Sequence, residues 1–186
     1  IVTGAASGIG RATALRLAAD AQADGGKPAQ LLLADFSAEG LALLVETLRS
    51  QGVETISFVG NLSDALVPAQ LVAAAIDAFG GLDVLVSHTG IIQQGTSLKT
   101  GSENLDRAFA IDILSTWLLD KAAHRYLVQP GSDLILETSI SGDQPARPLG
   151  ADCVGKAAMV MFGLIGWLIF FGIVQNMFNL SDLLTH

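Results

Sequence analysis

At 186 residues the chain is long enough to bury one sizeable core and cramped for two. Its hydrophobic share of 51% and charged share of 15% exclude disorder. A net charge of −8, with ten basic residues scattered along the chain, excludes a nucleic-acid binder, because phosphate recognition needs clustered Lys and Arg.

In chain order, short apolar runs alternate with longer Ala- and Leu-rich segments of helical spacing. The first run, "IV" (1–2), enters a glycine turn at once, as a strand short of its beginning would. A helical pattern covers 9–20, and "ADAQADGGKPAQ" (19–30) reads as helix end and surface loop, with Gly25, Gly26 and Pro28 as breakers. The later runs are "LLLAD" (31–35), "TISFVG" (55–60), "LDVLVS" (82–87) and "DLILET" (133–138), and helical patterns over 38–51, 65–79 and 103–128 separate them. Uninterrupted apolar strands alternating with helices predict a parallel sheet buried on both faces. The expected fold class is α/β: a Rossmann-type, doubly wound parallel sheet in three αβα layers, one domain over 1–186 with a truncated or divergent C-terminal part. From Ala157 to Ser181 there is no charge. That length suits a membrane span, but Gly163, Gly166 and Gly172 interrupt it and basic flanks are missing on its far side. An interface helix followed by a core strand is the preferred expectation, and a membrane partner is not expected. One cysteine, Cys153, allows no internal disulfide, which fits a reducing, cytoplasmic setting, and no cleavable signal is visible at the start. His88, His124 and His186 have no metal-ligand spacing with it, so no metal is expected.

The chemistry starts at "TGAASGIG" (3–10). Gly4, Gly8 and Gly10 let the backbone turn sharply and approach a diphosphate, and the helix that follows offers free N–H groups and its positive dipole end. Tight strand-to-helix turns need glycine for their own sake, so the trio alone is weak. Asp35 ends the second apolar run about 25 residues later, where a carboxylate can accept both hydroxyls of an adenosine ribose. It would repel a 2′-phosphate, and no arginine stands beside it, so NAD is expected rather than NADP. The alternative is that Asp35 caps the next helix, which Ser37 could do equally well.

These residues resemble the short-chain dehydrogenase/reductase family, whose TGxxxGxG spacing "TGAASGIG" follows. The resemblance continues through "GNLSD" (60–64), which matches the family's adenine clamp with Asn61 where an aspartate is usual, and through "LVSHTG" (85–90), where only Gly90 of an NNAG motif remains. It implies cofactor contacts from Gly4, Ser7, Gly8, Ile9, Gly10, Asp35, Asn61, Leu62, His88, Gly90 and Lys156. "LETSISG" (136–142) places Ser139 at the family's catalytic serine, and "ADCVGKAAM" (151–159) matches the YxxxK segment, thirteen residues on. Lys156 takes the lysine position, which holds the nicotinamide ribose and lowers the pKa of the tyrosine. Two catalytic positions depart from the pattern. Asp152 stands where the tyrosine belongs, and in "FAIDILSTW" (109–117) Asp112 stands where an asparagine supports a water relay.

An aspartate cannot do a tyrosine's work unaided. A nearby lysine cation keeps a carboxylate from holding a proton to donate. Its short side chain also stops several ångströms behind a phenol, beyond the roughly 2.6–3.2 Å needed for direct transfer. Asp152 and Lys156, four residues apart, could instead form a plain helix-surface ion pair. His88 could contact cofactor or give a proton, or merely fill a strand end. The expected function is an NAD-dependent oxidoreductase interconverting a small-molecule secondary alcohol and a ketone, with impaired hydride transfer. The rival is a dinucleotide-binding scaffold without chemistry. In the family, helices matching 103–128 and 152–171 pack across two-fold axes, which implies a homodimer or homotetramer.

Overall fold

A computed structural model describes residues 1–23, 28–96, 98–127, 131–144 and 146–178, with side chains up to residue 165 in the last stretch. Five parallel strands form one sheet in the order β3-β2-β1-β4-β5. They are β1 (Val2–Thr3), β2 (Gln30–Asp35), β3 (Glu54–Val59), β4 (Val84–Ser87) and β5 (Asp133–Leu136). The apolar runs become strands because both sheet faces are covered. Leu31 and Leu33 point into one core with Ala14, Ala18, Leu41 and Leu44, and Leu32 and Ala34 point into the other with Leu71, Leu85 and Leu119. Helices α1 (Gly8–Ala23) and α2 (Ala38–Ser50) cover the first face, α3 (Val67–Phe79) and α5 (Ser115–Ala123) the second. The three-layer, doubly wound expectation is met.

The chain order reverses at β1, which pairs with β2 through Val2–Leu33 and Thr3–Ala34 and with β4 through Val2–Val86. Helices leave the sheet in opposite directions there, which opens a crevice beyond the carboxyl ends of the strands. Ser37 caps α2, its Oγ accepting from the Gly40 N–H, so Asp35 is not needed as the cap.

Two expected elements are corrected. The pattern at 103–128 is one helical path in pieces: α4 (Ser102–Ala108), a π-helical turn (Phe109–Leu114), α5, and a 3-10 turn at His124–Tyr126, with 128 outside the described residues. Among the described residues no core strand follows the uncharged helix. Helix α6 runs unbroken from Gly150 to Phe178. A helix satisfies its own backbone, whereas a strand must pair with a sheet edge, and glycines at a cost of about 1 kcal/mol each do not break it. Residues 179–181 lie outside the described residues. Among the residues described with their side chains, which end at 165 in α6, no helix is long and apolar enough to cross a membrane.

Leu44→Ala, which empties a fully buried site on α2, should lower unfolding free energy by about 2–5 kcal/mol in denaturant titration. Leu43→Ala, on the exposed face one residue away, should change it by less than about 0.5 kcal/mol.

Candidate active site

Gly4 adopts φ +62° and lies under β4, where a Cβ would come within 2.8 Å of the His88 carbonyl oxygen. Gly10, in the first turn of α1, lies so close to the incoming chain that a Cβ would meet the Gly4 carbonyl oxygen at 2.3 Å. Only glycine permits this crossing. The first helical bond of α1 runs from the Arg11 N–H to the Ser7 carbonyl, so the N–H groups of Gly8, Ile9 and Gly10 have no partner within the helix. They face a cleft of about 1460 Å³, and Gly8 has open space where a side chain would project.

Asp35 borders the same cleft. Its Oδ2 accepts the Ala6 N–H and its Oδ1 the Ser37 N–H, both at 3.0 Å. Each carboxylate oxygen keeps a further lone pair for a ligand hydroxyl. All the expected cofactor contacts line this one cleft: Gly4, Ser7, Gly8, Ile9, Gly10, Asp35, Asn61, Leu62, His88, Gly90 and Lys156. Asn61 folds its own turn, with Oδ1 accepting from the Ser63 N–H and hydroxyl. A diphosphate and a ribose fit such donors and acceptors by their chemistry.

His88 is committed at both ring nitrogens. Nδ1 lies 2.7 Å from Glu137 Oε2 and Nε2 lies 3.1 Å from Thr13 Oγ1, tying β4 to the end of β5 and to α1. This order of atoms matches a nucleophile, base and acid, but Thr13 lies outside the cleft lining and the three act as a clamp. No nitrogen is left to give a proton to a substrate.

Four catalytic candidates gather across the cleft. Ser139, exposed, caps a 3-10 turn at Ile140–Gly142, its Oγ accepting the Ser141 N–H at 3.3 Å. Asp152 and Lys156 project from the start of α6 and line the cleft with Ser139. Asp112 sits just behind the cleft in the π-helical turn, a kind of bulge common at functional sites. Its Oδ1 accepts the Ile91 N–H at 2.8 Å. Asp112 Oδ1 and Lys156 Nζ both lie within 3.3 Å of the point where a Gly90 Cβ would be.

The surface ion-pair reading of Asp152 and Lys156 fails. Asp152 is only 4% exposed, and its Oδ2 accepts a hydrogen bond from Ser141 Oγ at 2.8 Å. Among the described residues the ion pairs within 4 Å are Arg16–Asp20 and His88–Glu137. Among the described residues two buried carboxylate oxygens, Asp112 Oδ2 and Asp152 Oδ1, have no hydrogen-bond partner. Burial pushes the Asp112 carboxyl above the ordinary carboxylate range, the Ile91 N–H and the Lys156 ammonium pull it back, and the charge of Asp152 raises it further.

Sequence reasoning missed several residues. Ser141 is the partner of Asp152, and Glu137 and Thr13 hold His88. Phe36, 82% exposed beside Asp35, presents an aromatic face to the cleft. Gly142 lets the 3-10 turn touch the α6 backbone, because a Cβ there would lie 2.8 Å from the Lys156 carbonyl. An exposed aromatic after a strand-end acid is a usable sequence signal. The others show themselves only through their partners.

A family model described as short chain dehydrogenase matches residues 1–164. The chain is 32% identical over 155 residues to the short-chain dehydrogenase/reductase eriH of Hericium erinaceus, covering 83% of this chain and 56% of that protein. A short chain dehydrogenase of Burkholderia cenocepacia, solved in complex with NADP, superposes with a TM-score of 0.77 at 28% identity over 89% of this chain and 63% of that one. A short chain dehydrogenase/reductase of Burkholderia phymatum, solved with NAD, shares the fold with a TM-score of 0.79 at 24% identity, over 87% of this chain and 56% of that one. The chain thus spans little more than half the length of such relatives.

Asp112→Asn keeps the Ile91 contact and replaces a buried charge by an amide able to donate toward Asp152. A carboxyl whose folded pKa is raised binds its proton more tightly when folded, so its ionisation costs stability as pH rises through the window above its unfolded value. The variant should therefore be more stable than wild type by about 1 kcal/mol at pH 7, a gain that vanishes at acid pH where both side chains are neutral. Thermal unfolding across pH 3–8 measures it.

Proposed function

The chain belongs to the short-chain dehydrogenase family, and on that premise we propose that it is an NAD(H)-dependent oxidoreductase interconverting a secondary alcohol and a ketone. The observation that carries this reading is the convergence of the glycine loop, Asp35, Ser139 and Lys156 on one cleft. When bound, the cofactor supplies or accepts the hydride. The chain's own residues do the rest. The α1 N–H groups hold the diphosphate and Asp35 holds the adenosine ribose.

NAD is favoured over NADP because Asp35 would repel a 2′-phosphate. The cations that line the cleft, Arg107 and Lys156, come from α4 and α6 rather than from the end of β2. Phe36 lies where it can cover the adenine. Lys156 orients the nicotinamide ribose, and Ser139 polarises the substrate oxygen. Asp112 anchors the backbone at Ile91 and faces Lys156 where an asparagine would support a water relay. Carbonyl reduction is weak in this reading, because Asp152 is too short to reach the substrate oxygen directly.

A scaffold that binds the dinucleotide without chemistry is the second reading, favoured by the burial of Asp152. The outer face of α4, α5 and α6 exposes Phe109, Leu114, Trp117, Met161 and Leu164, and Trp117 stacks on Phe162 with ring centroids 5.2 Å apart. We place a homodimer or homotetramer contact on this face.

Calorimetry with NADH should show binding, and Asp35→Ala should weaken it about tenfold or more, as expected for two lost carboxylate–hydroxyl bonds. Failure of wild type to bind either NADH or NADPH would overturn the assignment. Asp152→Tyr should raise ketone reduction by about 10²–10⁴-fold, the usual worth of a placed acid. Binding with no gain on any ketone would leave the scaffold reading.

A further inference from the structure

We propose that Ser141 is the group that exchanges the proton with the substrate, with Asp152 behind it as the base. This rests on the oxidoreductase reading and deepens it. The tyrosine position holds a carboxylate too short to touch a substrate, yet that carboxylate is not idle. Ser141 Oγ donates to Asp152 Oδ2 at 2.8 Å, and both residues line the cleft beside Ser139 and Lys156. The hydroxyl gives the carboxylate a proton path into the cleft that both residues line.

The pair is built rather than incidental. Asp152 and Ser141 are both more than nine-tenths buried, and a hydroxyl–carboxylate bond shielded from water is strengthened by its low dielectric. Ser141 is fixed by its own turn, because its N–H donates to Ser139 Oγ and Gly142 brings that turn against the α6 backbone. Thr138 Oγ1 donates to the Lys156 carbonyl at 3.2 Å and holds the same contact from the strand side. These contacts fix the end of β5 against the first turns of α6, with Ser141 facing Asp152.

In alcohol oxidation the balance is complete. The carbinol C–H bond breaks and its hydride reduces NAD+ to NADH, while the carbinol carbon is oxidised to a ketone. The alcohol O–H bond breaks as its proton passes to Ser141 Oγ, and the proton of Ser141 passes to Asp152 Oδ2. Asp152 ends as a neutral acid, and once the ketone has left, its proton returns through Ser141 Oγ to water in the cleft that both residues line. Ser139 remains free to hold the substrate oxygen, and Ser141 carries the proton.

The test uses the full chain and NAD+ with 2-propanol, cyclohexanol and 1-phenylethanol. Ser141→Ala should lower kcat at least a hundredfold with the KM for NAD+ unchanged, and Ser141→Thr, which keeps the hydroxyl, should stay within tenfold of wild type. Asp152→Asn should lose as much as Ser141→Ala, and the double variant should lose no more than either, as for groups that act as one unit. In cofactor-free protein, the ¹³C-carboxyl resonance of Asp152 should move in Ser141→Ala and stay in Ser141→Thr. An unmoved resonance, additive losses, or unchanged kcat in Ser141→Ala overturns the relay. Wild type that binds NADH and oxidises none of the alcohols also overturns it while leaving the cofactor assignment standing. Loss of NADH binding would instead overturn the wider reading.

Discussion

The tight crossing of two backbone segments at Gly4 and Gly10 sets the position of everything else in the cleft. The chain leaves β1, folds back against its own helix start, and passes beneath His88 at the end of β4. Methyl groups at these two positions would overlap backbone oxygens, which cannot move away as a flexible side chain can. The Ala6 N–H, in the same loop, is held by Asp35 from β2. One short turn therefore fixes the relative height of three neighbouring strand ends. The N–H groups of α1 and the carboxylate of Asp35 thus face one opening without any further device.

Across the cleft the constraint is electrostatic. Two carboxylates, at positions where the resemblance implies neutral side chains, lie on this side, and Asp112 lies near Lys156. Burying an unpaired carboxylate is costly, so each must be compensated locally. Asp112 is compensated by the Ile91 N–H and by Lys156, Asp152 by the Ser141 hydroxyl. Each still keeps one oxygen without a partner. The two carboxylates therefore act together, because the charge of Asp152 bears on Asp112.

The sheet was legible because both its faces are buried, so strands such as 31–35 appear as unbroken apolar runs. Glycine spacing and the acid at Asp35 were legible because their geometry is local, within one strand-to-helix turn. The π-helical turn at 109–114 was not, since an extra residue in one turn hardly alters the spacing of apolar positions in a window. The core strand expected within 157–181 was read from its uncharged, glycine-interrupted residues, which allow either form. The two partners of His88 were not legible because Thr13 and Glu137 lie 75 and 49 residues away. Ser141 lacked any mark in the sequence. Its meaning depends on the residue eleven positions later being an aspartate and on Gly142 letting the turn close on the helix.

The same pair of side chains ties the proposed relay to its surroundings. In the arrangement that the family resemblance implies, a lysine stands with a neutral phenol and a neutral amide. Here burial pushes the Asp112 carboxyl above the ordinary carboxylate range, the Ile91 N–H and the Lys156 ammonium pull it back, and the charge of Asp152 raises it further. The two carboxylates act on each other through a partly dry space, where a unit charge at a few ångströms is worth on the order of 1 kcal/mol or more. A proton that reached Asp152 through Ser141 would relieve that repulsion. Asp112 and the proposed direction of proton flow are in this way coupled by one electrostatic contact.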